Sequence, residues 1–288
     1  MRKILPYLLL IPTFLVIGIF IYWPAGLSFR LSLFRTSPFG NRELYVGLEN
    51  FIRLFQNPTY LQAMLTTLIY VGITVFFTIL ISFLLAQLLN QDIPGTRWFR
   101  LFIFAPYAIS PAIAGTLWSF LLNPVVGHLN YFFNSLFGLN VDFLTSSPYA
   151  LIAVMFASIW KMVPFALIFY IAGLQSIPDS LVESSFIDGA NLWQRMWKIK
   201  FPLLSPITFY LVIMTITNAM FNSFGIIDVM TKGGPTGDTT TLIYKLYLDA
   251  FTYQNTGSAA SQSIIMFIIM GVVTFFYFKN VESKVHYQ

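Results

Sequence analysis

Few residues in this chain are placed to do chemistry. Lys161 is the one charge inside an otherwise apolar run, and Asn218 and Asn222 lie four residues apart inside another. The stretch VESSFIDGANLWQRMWKIKFPLLSP, residues 182–206, gathers two acids and three bases in a chain where only 9% of residues are charged. An ammonium can hold an anionic solute through charge-assisted hydrogen bonds, and side chains four apart share one helix face. Sets that make or break bonds are missing. His128 and His286 stand in no metal-ligand spacing. With no cysteine there is no thiolate nucleophile and no disulfide framework. GGPTGDTTT lacks the lysine of a phosphate-cradling loop, and no acids pair at membrane depth. These residues predict recognition and motion, with no catalytic residue and no metal site.

The elements that must position them are membrane helices. Of 288 residues 57% are hydrophobic, and the mean hydropathy is +0.74, well outside the range of soluble domains. A spanning helix needs about 20 apolar residues. The charge-free gaps Lys3 to Arg30, Arg53 to Asp92, Arg100 to Asp142, Lys200 to Asp228 and Asp249 to Lys279, with the run holding Lys161, predict an all-α polytopic protein. Its six transmembrane helices fall at about 5–29, 61–89, 98–122, 149–174, 204–228 and 257–279. The first apolar run exceeds a signal-peptide core and ends in YWPAG without a cleavage pattern, so it is read as retained. Bases gather on the side of Arg2, Lys3, Arg97, Arg100, Arg195 and Lys198, which makes that side and both termini cytoplasmic. The net charge of +5 then reflects membrane anchoring rather than nucleic-acid binding. Residues 1–288 form a single transmembrane domain, with a cytoplasmic loop over 175–203.

On this frame Lys161 either faces a cavity or snorkels or pairs with a neighbouring subunit. Asn218 and Asn222 either tie helices together or line a wet path. The loop divides in two. Ser180 and Glu183 make an S-x-x-E capping pattern for a first short helix, which ends at Gly189. Asn191 and Gln194 repeat that pattern for a second, LWQRMWKIK, which ends before Pro202. Trp193, Met196, Trp197 and Ile199 with Arg195, Lys198 and Lys200 make the second helix amphipathic. On these grounds it suits a lipid surface first and a cytoplasmic partner second.

The spacing E-S-S-F-I-D-G-A, followed by I-K-F-P-L-L-S-P, resembles the EAA motif of permease subunits of binding-protein-dependent ABC importers. Glu183, Asp188, Gly189, Ala190 and Pro202 match the motif, with Ser184 and Ser185 in place of its two alanines. PYLLLIPTF, YWPAG, VGLENF, AGLQSIP and TKGGPTGDTTTLIYKLYLDAF are similar to the carbohydrate-type branch. FAPYAISPAIAG, FASIWK and VESKVHYQ are most similar to A-type permease subunits of sn-glycerol-3-phosphate importers. The resemblance implies a type I ABC importer permease in the inner (cytoplasmic) membrane, non-catalytic and without cofactor. ATP and Mg would be bound by two ATP-binding cassette partners, alongside a second permease and an external solute-binding protein. It also implies that Glu183, Ser184, Ser185, Asp188, Gly189 and Ala190 form the coupling helix seated on an ATP-binding subunit. Lys161, Asn218 and Asn222 are the expected substrate-path residues. The implied cargo is sn-glycerol-3-phosphate or a related glycerophosphoryl compound. A neutral sugar in the same machine is the alternative, and a stand-alone channel or carrier a second.

Overall fold

The computed structural model describes residues 5–36, 43–91, 96–138 and 142–281. Arg2, Lys3, Arg42, Lys284, His286 and most of VESKVHYQ lie outside them. The chain starts with α1 (Leu5–Ile17), a π-turn (Gly18–Tyr22) and α2 (Trp23–Ser32). Strands β1 (Phe34–Thr36) and β2 (Glu43–Tyr45) follow, then α3 (Glu49–Gln56), α4 (Pro58–Leu89), α5 (Thr96–Ala108), α6 (Pro111–Leu121) and α7 (His128–Phe137). Next come α8 (Tyr149–Gln175), α9 (Asp179–Ile187), α10 (Leu192–Gln194), a π-turn (Arg195–Lys200) and α11 (Phe201–Leu203). The chain continues through α12 (Ser205–Phe221), α13 (Phe224–Met230), α14 (Leu242–Tyr247), a third π-turn (Leu248–Thr252) and α15 (Thr256–Val281). Among the described residues, four helices are long and apolar enough to cross a membrane, and up to six spans result if each of two bent pairs counts as one.

One of those bends breaks the helix expected at 98–122, and a separate break ends the one expected at 204–228 early. Residues 98–121 turn by 106° between α5 and α6. Pro111 has no N–H to continue the ladder, and extended Ser110 caps α6 by accepting from the Ile113 amide at 3.3 Å. The other helix stops at Phe221. Asn218 and Asn222 turn their amides onto their own helix there, and the chain restarts as α13. Among the described residues, two of the three π-turns end two residues before a proline, Pro24 or Pro202. The wider turn makes room for a ring that would press on the carbonyl four residues back.

The described residues form two compact units. One holds residues 1–61 and 245–271. Its first span, Leu9–Ser32, has no buried residue across its apolar window, as a lipid-facing span should. The strands pair antiparallel, Phe34 opposite Tyr45 and Thr36 opposite Glu43, a small hairpin the all-α expectation did not include. Arg30 pairs with Glu43 at 2.5 Å, and Arg35 and Arg53 share Glu49, so three bases here meet two acids. Buried Asn50 donates to Ser32 O at 2.8 Å and Phe34 O at 2.9 Å, and Ser261 Oγ joins it on Ser32 O. Asn50→Ala is expected to lower unfolding stability by about 1–3 kcal/mol, read as a lower Tm of the purified protein, because it takes the side-chain donor from Phe34 O and leaves Ser32 O with Ser261 alone. Asp249 accepts from Lys245 at 2.5 Å, from Ser258 at 3.1 Å and from Gln262.

The second unit holds residues 62–244 and 272 onward. Its core packs Phe83 and Ala86 of α4 against Ala166, Leu167, Tyr170 and Leu174 of α8 and Leu211 of α12, with Met196 and Leu204 from the loop. Along α4, Thr66, Tyr70, Thr74, Thr78 and Ser82 recur every fourth residue and are all buried, giving an apolar helix one polar stripe. Tyr70 OH donates to Ser158 Oγ at 2.7 Å, and Ser82 Oγ to Val163 O at 2.9 Å, tying the stripe to α8.

Candidate functional site: a cavity between broken helices and the loop behind it

A cavity of about 440 Å³ opens in the second unit, lined by α4, α5, α6, α8, α12 and the start of α13. Lys161, Asn218 and Asn222 all line it, with Tyr70, Tyr107, Ser158, Phe165 and Ser223. The residues that could carry chemistry therefore meet in one place, although they come from different helices. Asn218 Nδ2 donates to Met214 O at 2.9 Å, so its Oδ1 accepts from Asn222 Nδ2 at 2.7 Å. That order leaves Asn222 Oδ1 as the acceptor offered by the pair. Ser223 Oγ is buried without a partner among the described residues. Buried polar groups are normally satisfied, and Ser223 is one of the residues lining the cavity. An acceptor beside a hydroxyl suits a hydroxylated solute. The lining holds one cation and no carboxylate, so its field favours an anion.

Beside the cavity, two glycines sit where α6 meets α13. A Cβ at Gly115 of α6 would lie 3.1 Å from Val229 Cβ and 3.3 Å from Ile226 Cα and O. One at Gly225 of α13 would lie 3.1 Å from Pro111 Cβ and 3.2 Å from the Ala112 amide nitrogen. Because neither glycine has a side chain, α6 and α13 meet backbone to backbone, each beginning just past a helix break.

The 175–203 loop joins α8 to α12. Its first helix starts at Asp179 rather than at a Ser180 cap. Pro178 occupies the capping position, already extended at φ −59° and ψ 132°, and no side chain caps it, which corrects the Ser180–Glu183 reading. Glu183, Ser184 and Asp188 are exposed, whereas Ser185 is buried and donates to Val182 O at 2.6 Å. A hydroxyl spent on its own helix behaves as a small apolar group, so serine fits where the motif has alanine. Gly189 sits at φ +76°. The Ala190 amide donates to Ser185 O at 3.0 Å, and the Gly189 amide to Phe186 O at 3.1 Å, the paired bonds of a glycine-ended helix.

Asn191 and Gln194 form the second capping box, both bonds 2.9 Å. The helix then runs on to Leu203, past the expected stop before Pro202, because the π-turn 195–200 admits the proline; it bends 74° into α12. The Arg195 guanidinium lies 3.4 Å from the centre of the Phe186 ring, clamping the loop across Gly189. Trp197 packs on Phe83 and Phe201, and Lys200 Nζ donates to Gln87 Oε1 at 3.2 Å. Met196 enters the core. One face of the loop is thus built into the helix bundle, while Phe186, Ile187, Leu192 and Trp193 stay exposed on another.

Tyr70, Tyr107, Ser158 and Phe165 were not singled out from the sequence, although the four-residue polar spacing along α4 is a visible signal of Tyr70.

Residues 55–287 match the model of the binding-protein-dependent transport system inner membrane component family. The sn-glycerol-3-phosphate transport system permease protein UgpA of Salmonella typhi is 40% identical over 284 residues, covering 99% of this chain and 96% of the relative. The UgpA proteins of Pectobacterium atrosepticum and Agrobacterium fabrum are 41% and 40% identical, each over 99% of this chain. Among solved structures, a bacterial ABC transporter that imports the acidic polysaccharide alginate has a chain with the same fold. It has a TM-score of 0.84 and 24% identity, and the match covers 98% of this chain and 96% of that one. The same transporter in complex with its alginate pentasaccharide-bound periplasmic protein matches with a TM-score of 0.82. With a polar cavity among its apolar helices and the family's model matched over most of its length, the chain belongs to the inner-membrane components of binding-protein-dependent ABC transport systems, as a non-catalytic, multi-pass permease subunit.

Proposed function

We propose that this permease forms part of the translocation path for sn-glycerol-3-phosphate or a related glycerophosphoryl compound. The observation that carries the cargo is the 40% identity to glycerol-phosphate permeases over nearly the whole chain. A cavity lined by one ammonium, amides, hydroxyls and no carboxylate supports the same reading. Asn218, Asn222 and Lys161 stand on the path, with the Asn222 oxygen and the Ser223 hydroxyl facing the glycerol hydroxyls. A neutral sugar would have no use for the positive field.

The partners are a second permease, two cytoplasmic ATP-binding subunits that hold ATP and Mg, and an external solute-binding protein; both termini are cytoplasmic. Glu183, Ser184, Ser185, Asp188, Gly189 and Ala190 form the face seated on an ATP-binding subunit, with Glu183 and Asp188 as polar contacts. When the two ATP-binding subunits close, the loop moves with them. Met196 and Trp197, embedded among α4, α8 and α12, pass that displacement to the helices around the cavity.

The test is purification of the chain with its associated subunits, followed by binding of labelled sn-glycerol-3-phosphate and of maltose to the copurified solute-binding protein. Preference for the phosphate is expected, and preference for maltose would overturn the cargo. In uptake assays Asn222→Ala should lower the transport rate about tenfold, the loss expected when one or two polar contacts to a polar solute disappear. Unchanged uptake would remove Asn222 from the path.

A further inference from the structure

The elbow between α5 and α6 leaves the last carbonyls of α5 without helical partners, because the chain turns at Ile109 and Ser110 and Pro111 has no N–H to offer. Lys161 supplies the missing donor from α8. Its Nζ donates to Ile109 O at 2.6 Å, lies 3.5 Å from Tyr107 O and sits 5.7 Å from the centre of the Tyr107 ring. One turn further along α8, Phe165 stacks on the same ring, centroids 5.8 Å apart and planes 25° apart. A cation at the carbonyl end of a helix is also favoured by the helix dipole.

α8 is the helix that leads into the 175–203 loop, and past the elbow α6 is held against α13 at Gly115 and Gly225. Lys161 therefore lies between the loop's own helix and the wall of the cavity. We propose that Lys161 is a positioning residue of the transport cycle. Its ammonium ties the α5–α6 elbow to α8, so that α8 carries the cavity wall with it, and it is not a direct ligand of the solute. This rests on the reading of the loop as the entry point of ATP-driven motion.

The chain has no cysteine, so spin labels can be placed cleanly at two exposed sites, Ile113→Cys on α6 and Phe156→Cys on α8. The distance between them, measured in the complete importer with and without trapped ATP, reports how firmly α8 holds the elbow. With Lys161 present, one distance is expected that shifts as a single population on trapping. Lys161→Met should split or broaden that distance, abolish the shift and lower the uptake rate about tenfold, while Lys161→Arg restores both. Tyr107→Leu should give the same broadening, and its effect combined with Lys161→Met should be less than additive.

If Lys161→Met loses uptake but keeps the single distance and its shift, Lys161 acts on the solute and the proposal falls. It also falls if uptake is unchanged. Should Lys161→Met fail to accumulate in the membrane, Tyr107→Leu alone must broaden the distance. A wild-type distance there overturns the proposal as well. Gly189→Val in the same preparation separates the two readings. Full solute-stimulated ATP hydrolysis in that variant would refute the coupling role of the loop, whatever Lys161 does.

Discussion

Gly189→Val is expected to leave the chain inserted and folded, yet to lower solute-stimulated ATP hydrolysis and uptake by the assembled importer by more than about tenfold. The residue sits at φ +76°, where a β-branched side chain is strained. No atom lies within 4 Å of where a Cβ would point. The penalty is therefore backbone strain of about 1–2 kcal/mol rather than a clash. Valine is expected to relieve it by unwinding the Ser185–Ala190 bond, which would tilt Glu183 and Asp188 away from the proposed docking face. The core anchored by Met196 stays in place, so insertion and solute-free stability should change little. Gly189→Asn is the control, since asparagine tolerates the left-handed region, and it should retain most activity. Rates of ATP hydrolysis in proteoliposomes with loaded solute-binding protein check both.

The second large effect is expected at Gly115→Leu. A Cβ there already meets Val229 Cβ at 3.1 Å and the Ile226 backbone at 3.3 Å, and a full leucine must push α6 away from α13. Overpacking of this kind costs about 1–3 kcal/mol. It also moves the cavity wall, because α6 and α13 begin at the two breaks that frame it. Uptake should fall below about a tenth of wild type, with a lower Tm of the purified protein. Gly115→Ala, which needs its neighbours to give by only a few tenths of an ångström, should keep partial uptake. A wild-type rate for Gly115→Leu would mean that this wall does not bound the path.

Much of the architecture was legible because membrane physics writes it plainly. Charge-free runs of sufficient length point to membrane helices, and the Asn191–Gln194 box and Gly189 are local signals whose geometry depends on nothing distant. The breaks were harder. Pro111 and the Asn218–Asn222 pair are visible in the sequence, but an apolar run tolerates proline, and only tertiary contact turns a kink into an elbow bent by 106°. The Ser180 cap failed for a related reason: Pro178 fixes the chain's entry without help from a side chain.

The candidate site follows the same division. Lys161, Asn218 and Asn222 drew attention because polar groups at membrane depth are costly, and they line one cavity. That Lys161 spends its strongest hydrogen bond on the Ile109 carbonyl could not be read from spacing, since its partner is a backbone atom on another helix. Tyr70, Tyr107 and Phe165 look like any other apolar-run aromatics until α4, α5 and α8 are brought together.

The central claim, that loop motion driven by ATP opens and closes this cavity, is tested most directly with a single reporter cysteine. Met162 lines the cavity beside Lys161, and the chain offers no competing thiol. Labelling of Met162→Cys by a membrane-impermeant thiol reagent added from outside would be measured in the complete importer, first without nucleotide and then trapped with ATP and loaded solute-binding protein. Labelling is expected to be slow without nucleotide, to change at least about tenfold on trapping, the scale of an allosteric coupling between two sites, and to lose that change with Gly189→Val. Equal labelling in both states, or a change that survives Gly189→Val, would contradict the account.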